Sequence, residues 1–339
     1  MIIAPSKKRI GVLRGGPSPE YEVSLNTGKF VLQNLKDLPG DQYEPVDIFV
    51  SKSGVWHEYG YEKTPEKIVK KLDGVWNAMH GTYGEDGTLQ RTLEALGTPY
   101  TGSGVLASSA GMNKILTKRL FGKFGIKTPS YIVVNKEEQF HTAVDKIFNE
   151  IPFPIVLKPA NSGSSLGVFV CFNRSQLVEA LHKVFAYSPN VIAEEFIQGK
   201  EATCGVVQDY RNQNVYGLLP VEVILPKNRT FYDYRAKYED RGKEYLSPGN
   251  FSMEEMQNLK DLAVLIHTSL GLRHYSRSDF IVHPKRGVYA LEVNTLPALS
   301  EKSSFVKSLE AVGSNIKEFL QHTLDKALGK DHKRNILYK

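Results

Sequence analysis

Short apolar runs alternate along the chain with stretches in which apolar residues return every three or four positions, a pattern that predicts an α/β protein. Ile10 to Leu13 sit within a strand-like segment, Arg9–Arg14, that runs into Gly15-Gly16. Ser18-Pro19 then reads as an N-cap followed by proline at the first helical position, and Val23, Phe30, Val31 and Leu35 continue that helix. Asp73–Met79 is a second buried strand, ending at His80-Gly81. Strand, glycine turn and helix in this order predict an open sheet with its ligand edge at the strand C-termini.

A middle section starts near residue 103 with the small residues Ser108–Ala110, followed by a helix over Lys114–Phe124 and a strand over Phe153–Lys158. The last section begins near Ala193. Its best-marked helix opens on the capping box Ser252-Met253-Glu254-Glu255 and carries Met256, Leu259, Ala263, Ile266 and Leu270 on one face until Gly271. A chain of 339 residues exceeds one ordinary core, so we expect domains at 1–102, 103–192 and 193–339.

The strands Ser278–His283 and Val288–Asn294 flank the turn Pro284–Gly287 and predict an antiparallel hairpin. Pairing His283 with Val288 places Asp279 opposite Glu292 and Arg277 opposite Asn294, all on one face because side chains alternate. Two carboxylates, a carboxamide and a guanidinium held about 5 Å apart would repel unless a cation joins them. Such oxygen donors suit Mg²⁺ completed by phosphate oxygens and water, while a solvated face with an Arg–Asp ion pair is the plain alternative.

The apolar strand ending at Lys158 continues into Pro159 to Gly167, rich in glycine and serine. Gly163, Ser164, Ser165 and Gly167 leave backbone N–H groups able to approach an anion, with Lys158 near to add charge. No Gly-Lys-Ser/Thr follows, so it is not a Walker A loop. Lys114 opens a helix, and Glu194, Glu195 and Glu201 follow an apolar strand start, where an acid can hold an adenine amino group or a ribose hydroxyl.

Composition narrows the class. Hydrophobic residues are 41 % and charged residues 24 %, ordinary for a globular protein. The formal charge of +6 is spread along the chain rather than gathered into a basic face, apart from the tail Lys330 to Arg334, so no nucleic-acid partner is expected. No apolar run reaches the length of a spanning helix, Met1 to Lys8 carries no export leader, and the expected location is cytoplasmic. Cys171 and Cys204 lack metal spacing and read as buried free thiols.

Six segments in order resemble the D-alanine–D-alanine ligases: Gly15 to Ser24, His80 to Gln90, Tyr100 to Gly104, Lys158 to Gly167, Tyr232 to Tyr238 and Glu292 to Pro297. The likeness spans about residues 9 to 325. It implies an ATP-grasp fold of three α/β domains, an open N-terminal α/β domain first, with ATP between the other two. It implies a ligase that joins two D-alanines through an acylphosphate, in peptidoglycan precursor synthesis, using ATP and two Mg²⁺ ions, with Mn²⁺ as a substitute. Its partners are those small molecules, with a homodimer left open and no membrane.

By the same resemblance Lys114 and Lys158 hold phosphates, with Gly163 and Ser165 in the Gly163–Gly167 loop that covers them. Glu194, Phe196 and Ile197 form the adenine hinge, Glu201 binds ribose, and Lys237 joins the nucleotide site. Asp279, Glu292 and Asn294 bind the metals. Arg277 and the backbone N–H of Ala298 stabilise the oxyanion, and Glu20 anchors the first ammonium. Ser164 and Tyr238 link Glu20 to a closing loop over Tyr232–Ser247, while His80 and Ser303 contact substrate.

Three positions depart from the pattern: Asn113 stands for the usual aspartate, Ala298 for the usual glycine, and no proline closes the stretch Leu299 to Val306. These bear on the second substrate, so a ligase with another amino-acid or hydroxy-acid acceptor stays open. The retained Lys237-Tyr238 pair favours a dipeptide product over a depsipeptide. A non-catalytic nucleotide-binding module is disfavoured because Arg277, Asp279, Glu292 and Asn294 are all kept.

Overall fold

A computed structural model describes residues 7–329 apart from 41, 162, 164, 165 and 225–243. The chain opens with β1 (Lys8–Gly15), α1 (Tyr21–Lys36), β2 (Tyr43–Val50), β3 (Trp56–Glu58), β4 (Tyr61–Glu62), α2 (Pro65–Val69), β5 (Gly74–Asn77) and α3 (Thr88–Ala95). The sheet order is β4-β3-β2-β1-β5, with β1 parallel to β2 and β5. The loops after β1 and β5 therefore leave the same sheet edge, and they carry Glu20 and His80. Ser18-Pro19 does not start α1. The Ser18 hydroxyl instead accepts from the Glu20 N–H at 3.1 Å, a local turn that competes with capping and delays the helix to Tyr21.

The second layer comprises α4 (Val105–Met112), α5 (Lys114–Lys123), β6 (Tyr131–Asn135), α6 (Phe140–Glu150), β7 (Ile155–Pro159), β8 (Phe169–Cys171), α7 (Arg174–Val184) and β9 (Asn190–Glu195). Its antiparallel sheet runs β6-β9-β7-β8. Ile147 of α6 and Leu181 of α7 pack with Val134, Leu157 and Ala193 of the strands. The expected boundary between 192 and 193 falls inside β9, whose pairing continues through Tyr131↔Glu194 and Ile155↔Glu195. A second departure concerns α4 and α5. Ala107 and Phe121 share a core with Cys204, Phe280 and Val293, so these helices pack on the third sheet.

That third sheet is built from β10 (Lys200–Tyr210), β11 (Gln213–Gly217), β12 (Val221–Ile224), β13 (Glu244–Leu246), β14 (Tyr275–His283) and β15 (Gly287–Asn294). Its order is β13-β12-β10-β14-β15, with β11 beside β10. Between β13 and β14 lies α8 (Met253–Ser269), and α9 (Ser304–Ala311) and α10 (Ile316–Ala327) follow β15. Both halves of the Ser252/Glu255 capping box are present on α8. Phe319 and Leu320 of α10 return to Val31 and Trp76 of the first unit, in one core that also holds Tyr275 and Phe305. Cys171 and Cys204 are free and buried.

The hairpin is where expectation and structure differ most usefully. His283 pairs with Gly287 rather than Val288, so the turn has three residues, a length suited by the positive φ (80°) of Gly287. One step of register is then absorbed between Asp279 and Phe280, where Phe280 pairs with Ala290 and Asp279 with Glu292, leaving Leu291 as the extra residue. The bulge restores the expected facing pairs, Asp279↔Glu292 and Arg277↔Asn294.

Candidate active site

The hairpin face forms one wall of a solvent-open cleft that is also lined by Lys114, Lys158, Glu201, Thr203 and Tyr245. Asp279 is held tightly on this wall. Arg277 Nε and Nη2 donate to its two oxygens, each at 2.8 Å, Thr203 Oγ1 donates at 2.8 Å, and Asn294 Nδ2 at 3.2 Å. Burial works to lower the Arg277 pKa, but the charge and hydrogen bonds of Asp279 prevail and hold it above its ordinary value. Glu292 has its own cation, with Lys114 Nζ 2.8 Å away. The repulsion expected of this face is therefore relieved by Arg277 and Lys114.

The donor chemistry still suits Mg²⁺, since two carboxylates and a carboxamide are hard oxygen ligands. Among the described residues no group of three or more His, Cys, Asp or Glu side chains is close enough to hold a metal unaided. An ion at this face would draw the rest of its shell from phosphate and water.

Lys114 is placed by a cap. Asn113 Oδ1 accepts from the Leu116 N–H at 3.0 Å, so the amide fills the N-cap role of the usual aspartate without its charge. The Lys114 N–H also donates to Ala160 O at 2.9 Å, tying α5 to the loop that follows β7. Within that loop a Cβ at Gly163 would lie 2.6 Å from Glu20 Oε2, so the loop backbone runs close to that carboxylate and a larger residue would make the Glu20 side chain shift. Ser164 and Ser165 lie outside the described residues, as do Lys237, Tyr238 and most of the Tyr232–Ser247 stretch.

Glu194, at the end of β9, is buried behind the cleft and shared by two lysines, Lys158 on Oε1 and Lys118 at 2.8 Å from Oε2. Burial alone would raise its pKa, but the two ammonium groups hold it below the ordinary carboxylate value. Glu201 lies on the cleft wall. Phe196 follows β9, its N–H donating to Pro154 O at 3.0 Å, and Ile197 joins a small apolar cluster with Ile281, Tyr289 and the bulged Leu291, which itself lines the cleft.

A smaller pocket brings Glu20 and Glu85 against Lys114, Gly163, Glu292 and Asn294. His80 is buried here, with Nε2 2.9 Å from Thr27 Oγ1. Burial lowers its pKa against the pull of Glu20, so the ring is neutral at pH 7. Glu85 accepts from Gly81 N–H at 2.6 Å and Leu296 N–H at 3.3 Å, strapping the first unit to the segment after β15. Burial and the nearby Glu20 push its pKa up to about 8. Ala298 is absent from the residues with positive φ, so alanine sits there without backbone strain. Ser303 caps α9, accepting from Val306 N–H at 3.4 Å, a bond that a proline at 306 could not donate.

Four residues of this region escape a purely sequential reading: Lys118, Thr203, Glu85 and Tyr245. Lys118 had a signal, because it lies one helical turn from Lys114 on the same face. Glu85 lies within the His80–Gln90 segment. Thr203 and Tyr245 depend on sheet pairing that spacing does not reveal.

Two lobes built on antiparallel sheets, closing on a cleft lined by lysines and carboxylates, define the ATP-grasp fold. Residues 57–103 match the family model described as D-ala D-ala ligase N-terminus, and residues 120–325 match its C-terminal counterpart. The chain belongs to the D-alanine–D-alanine ligase family. It is 37 % identical to the D-alanine–D-alanine ligase of Syntrophotalea carbinolica, over 94 % of this chain and 95 % of that one. To the ligase of Fervidobacterium nodosum it is 35 % identical, over 95 % and 99 %. Among solved structures it is similar to the VanG D-Ala:D-Ser ligase of Enterococcus faecalis, with a TM-score of 0.83, 26 % identity and coverage of 95 % and 100 %. It is also similar to the Bacillus anthracis D-alanine–D-alanine ligase complexed with ATP, with a TM-score of 0.76, 28 % identity and coverage of 95 % and 98 %.

Proposed function

We propose that this enzyme joins two D-alanine molecules into D-alanyl-D-alanine while converting ATP to ADP and phosphate, supplying peptidoglycan precursor synthesis in the cytoplasm. The observation that carries this reading is the convergence of Lys114, Lys158, Arg277, Asp279 and Glu292 on one cleft, in a chain of this family.

The chemistry follows from charge. A carboxylate oxygen of the first D-alanine attacks the γ-phosphorus of ATP, and ADP leaves. Two anions approach only if cations stand between them, which is the part assigned to Lys114 and Lys158. Asp279, Glu292 and Asn294 would hold Mg²⁺, which would supply further neutralisation of phosphate charge. Glu20, pressed against Gly163, holds the first ammonium, and the neutral His80 lies beside it. The neutral amine of the second D-alanine then attacks the acyl carbon. Phosphate departs with the oxygen that formed the bond to phosphorus, and the new amide nitrogen releases its extra proton. Arg277 and the Ala298 N–H face the negative oxygen of the tetrahedral species. Ser303 takes the second carboxylate after leaving its own turn. The family resemblance assigns Ser164 and Tyr238 to a closing loop that would keep out water able to hydrolyse the acylphosphate, and Lys237 to the nucleotide site.

A D-serine acceptor is the second reading, favoured by the likeness to a D-Ala:D-Ser ligase. Phosphate release measured with ATP, Mg²⁺ and a panel of D- and L-amino acids, singly and paired with D-alanine, tests both. D-alanine alone should give the greatest turnover. Turnover that requires D-serine supports the second reading, and turnover with L-amino acids only contradicts both.

A further inference from the structure

Helix α5 aims two lysines, one turn apart, at carboxylates in different surroundings. Lys114 reaches Glu292 at the rim of the cleft, where the two side chains are 13 % and 25 % exposed. Lys118 reaches Glu194 at the back, where they are 1 % and 2 % exposed. The Lys118 ammonium also donates to Thr128 Oγ1 at 2.8 Å and lies 5.1 Å from the Tyr131 ring centroid. Lys158 comes from the opposite side to the other oxygen of Glu194, but its side chain is 13 % exposed and lines the cleft. One carboxylate therefore has two counter-ions, one sealed in and one at the surface of the cleft. Burial and Lys158 lower the Lys118 pKa while Glu194 raises it, as expected when a second ammonium shares the anion.

We propose that Lys118 is the permanent counter-ion of Glu194, and that it lets Lys158 exchange that carboxylate for a nucleotide phosphate without leaving a buried anion unpaired. The inference rests on the phosphate-binding role proposed for Lys158. Without Lys118, Glu194 has Lys158 alone, and releasing it strands a charge in the interior. Lys158 is then held back and phosphate binds weakly. With Lys118 in place the exchange costs little, and Glu194 stays ionised and fixed at the end of β9. Lys118 touches neither nucleotide nor reacting atoms in this scheme, so it is a positioning residue.

A double-mutant cycle on the intact enzyme tests this, with ADP affinity from calorimetry and steady-state constants for ATP and D-alanine. Lys118→Met should weaken ADP binding and raise the ATP KM about tenfold. Turnover at saturating ATP and the D-alanine KM should move less than about twofold. In a Glu194→Gln background, which has no anion to strand, adding Lys118→Met should change ADP affinity by less than about threefold. A merely structural role would lower the active fraction without separating KM from kcat, and its cost would persist in the Glu194→Gln background. Unchanged ADP affinity in Lys118→Met, or an equal loss in both backgrounds, overturns the proposal.

Lys158→Met is the control for the underlying reading. If it leaves ADP affinity unaltered, the phosphate role of Lys158 fails; if it weakens ADP while Lys118→Met does not, only the counter-ion role fails. Lys118→Arg keeps the question open to test should the methionine variant not fold. It retains the charge and should bind ADP within about threefold of the unmodified enzyme. A loss as large as that of Lys158→Met, at unchanged Tm, contradicts the proposal.

Discussion

The cleft holds carboxylates in two settings. At the rim, Asp279 and Glu292 are 23 % and 25 % exposed, and each has a basic partner drawn from the same wall or a neighbouring helix. At the back, Glu194 is sealed and carries two lysines at once. The difference is one of dielectric. Near water, a carboxylate that loses its partner is rehydrated, so rim pairs can be traded for a ligand at small cost. In the interior the same loss is not compensated, so a partner must already be in place before another leaves. A site that binds a polyanion needs both kinds: exchangeable pairs where the ligand arrives, and a fixed pair behind them.

The largest expected effect is at the rim. Glu292→Gln should lower kcat about 100- to 1,000-fold, the scale on which removing one preorganised electrostatic group slows an enzyme. Its Tm should stay close to that of the parent, because Lys114 can turn to water. Asp279→Asn should slow turnover as much but also lower Tm, since Asp279 is held by Arg277, Thr203 and Asn294 together and Arg277 loses its bidentate partner. Equal Tm losses in the two variants would erase the distinction within the rim.

Stability should respond most at the back. Glu194→Gln removes the buried anion that pairs the sealed Lys118 and should cost about 3 kcal/mol, read as a shift in the denaturation midpoint. The comparison breaks if Glu292→Gln destabilises more than Glu194→Gln does.

Acid–base behaviour gives a third, smaller effect at Glu85. In the unfolded chain a glutamate titrates near about 4.3, and in the folded protein this one is pushed up to about 8. Between those values the unfolded state has given up a proton that the folded state keeps. The contribution is therefore present at low pH and is lost as pH rises toward 8. Glu85→Gln should flatten the fall in Tm between pH 5 and pH 8, and an unchanged slope would show that Glu85 is ionised in the fold. The smallest effect concerns Ala298. Without positive φ there is no strain to relieve, so Ala298→Gly should leave the acceptor KM within about twofold. A larger fall would mean that the alanine methyl itself restricts the acceptor.

How far the sequence speaks depends on the kind of structure. The rim face was legible because strand side chains alternate with period two, so Arg277 and Asp279 share a face whatever the turn does. Their exact partners were less secure. The turn is one residue shorter than expected, and the bulge at Leu291 happens to restore the register. Ser18-Pro19 misled because a serine that bonds to the N–H two residues on looks the same in sequence as one that caps a helix. The Lys118–Glu194–Lys158 cluster joins α5, β9 and β7, and nothing local says that those three elements meet. That the 192/193 division point lies within β9 was not legible for a similar reason, because β9 is held by partners far from it along the chain.

Ligation through an acylphosphate can be read from the fate of a single oxygen. The enzyme is supplied with ATP, Mg²⁺ and D-alanine whose carboxylate carries ¹⁸O, and the products are resolved by mass spectrometry. The account predicts ADP, the dipeptide and inorganic phosphate bearing one ¹⁸O from the D-alanine carboxylate. Unlabelled phosphate, or AMP carrying the label together with pyrophosphate, would contradict it.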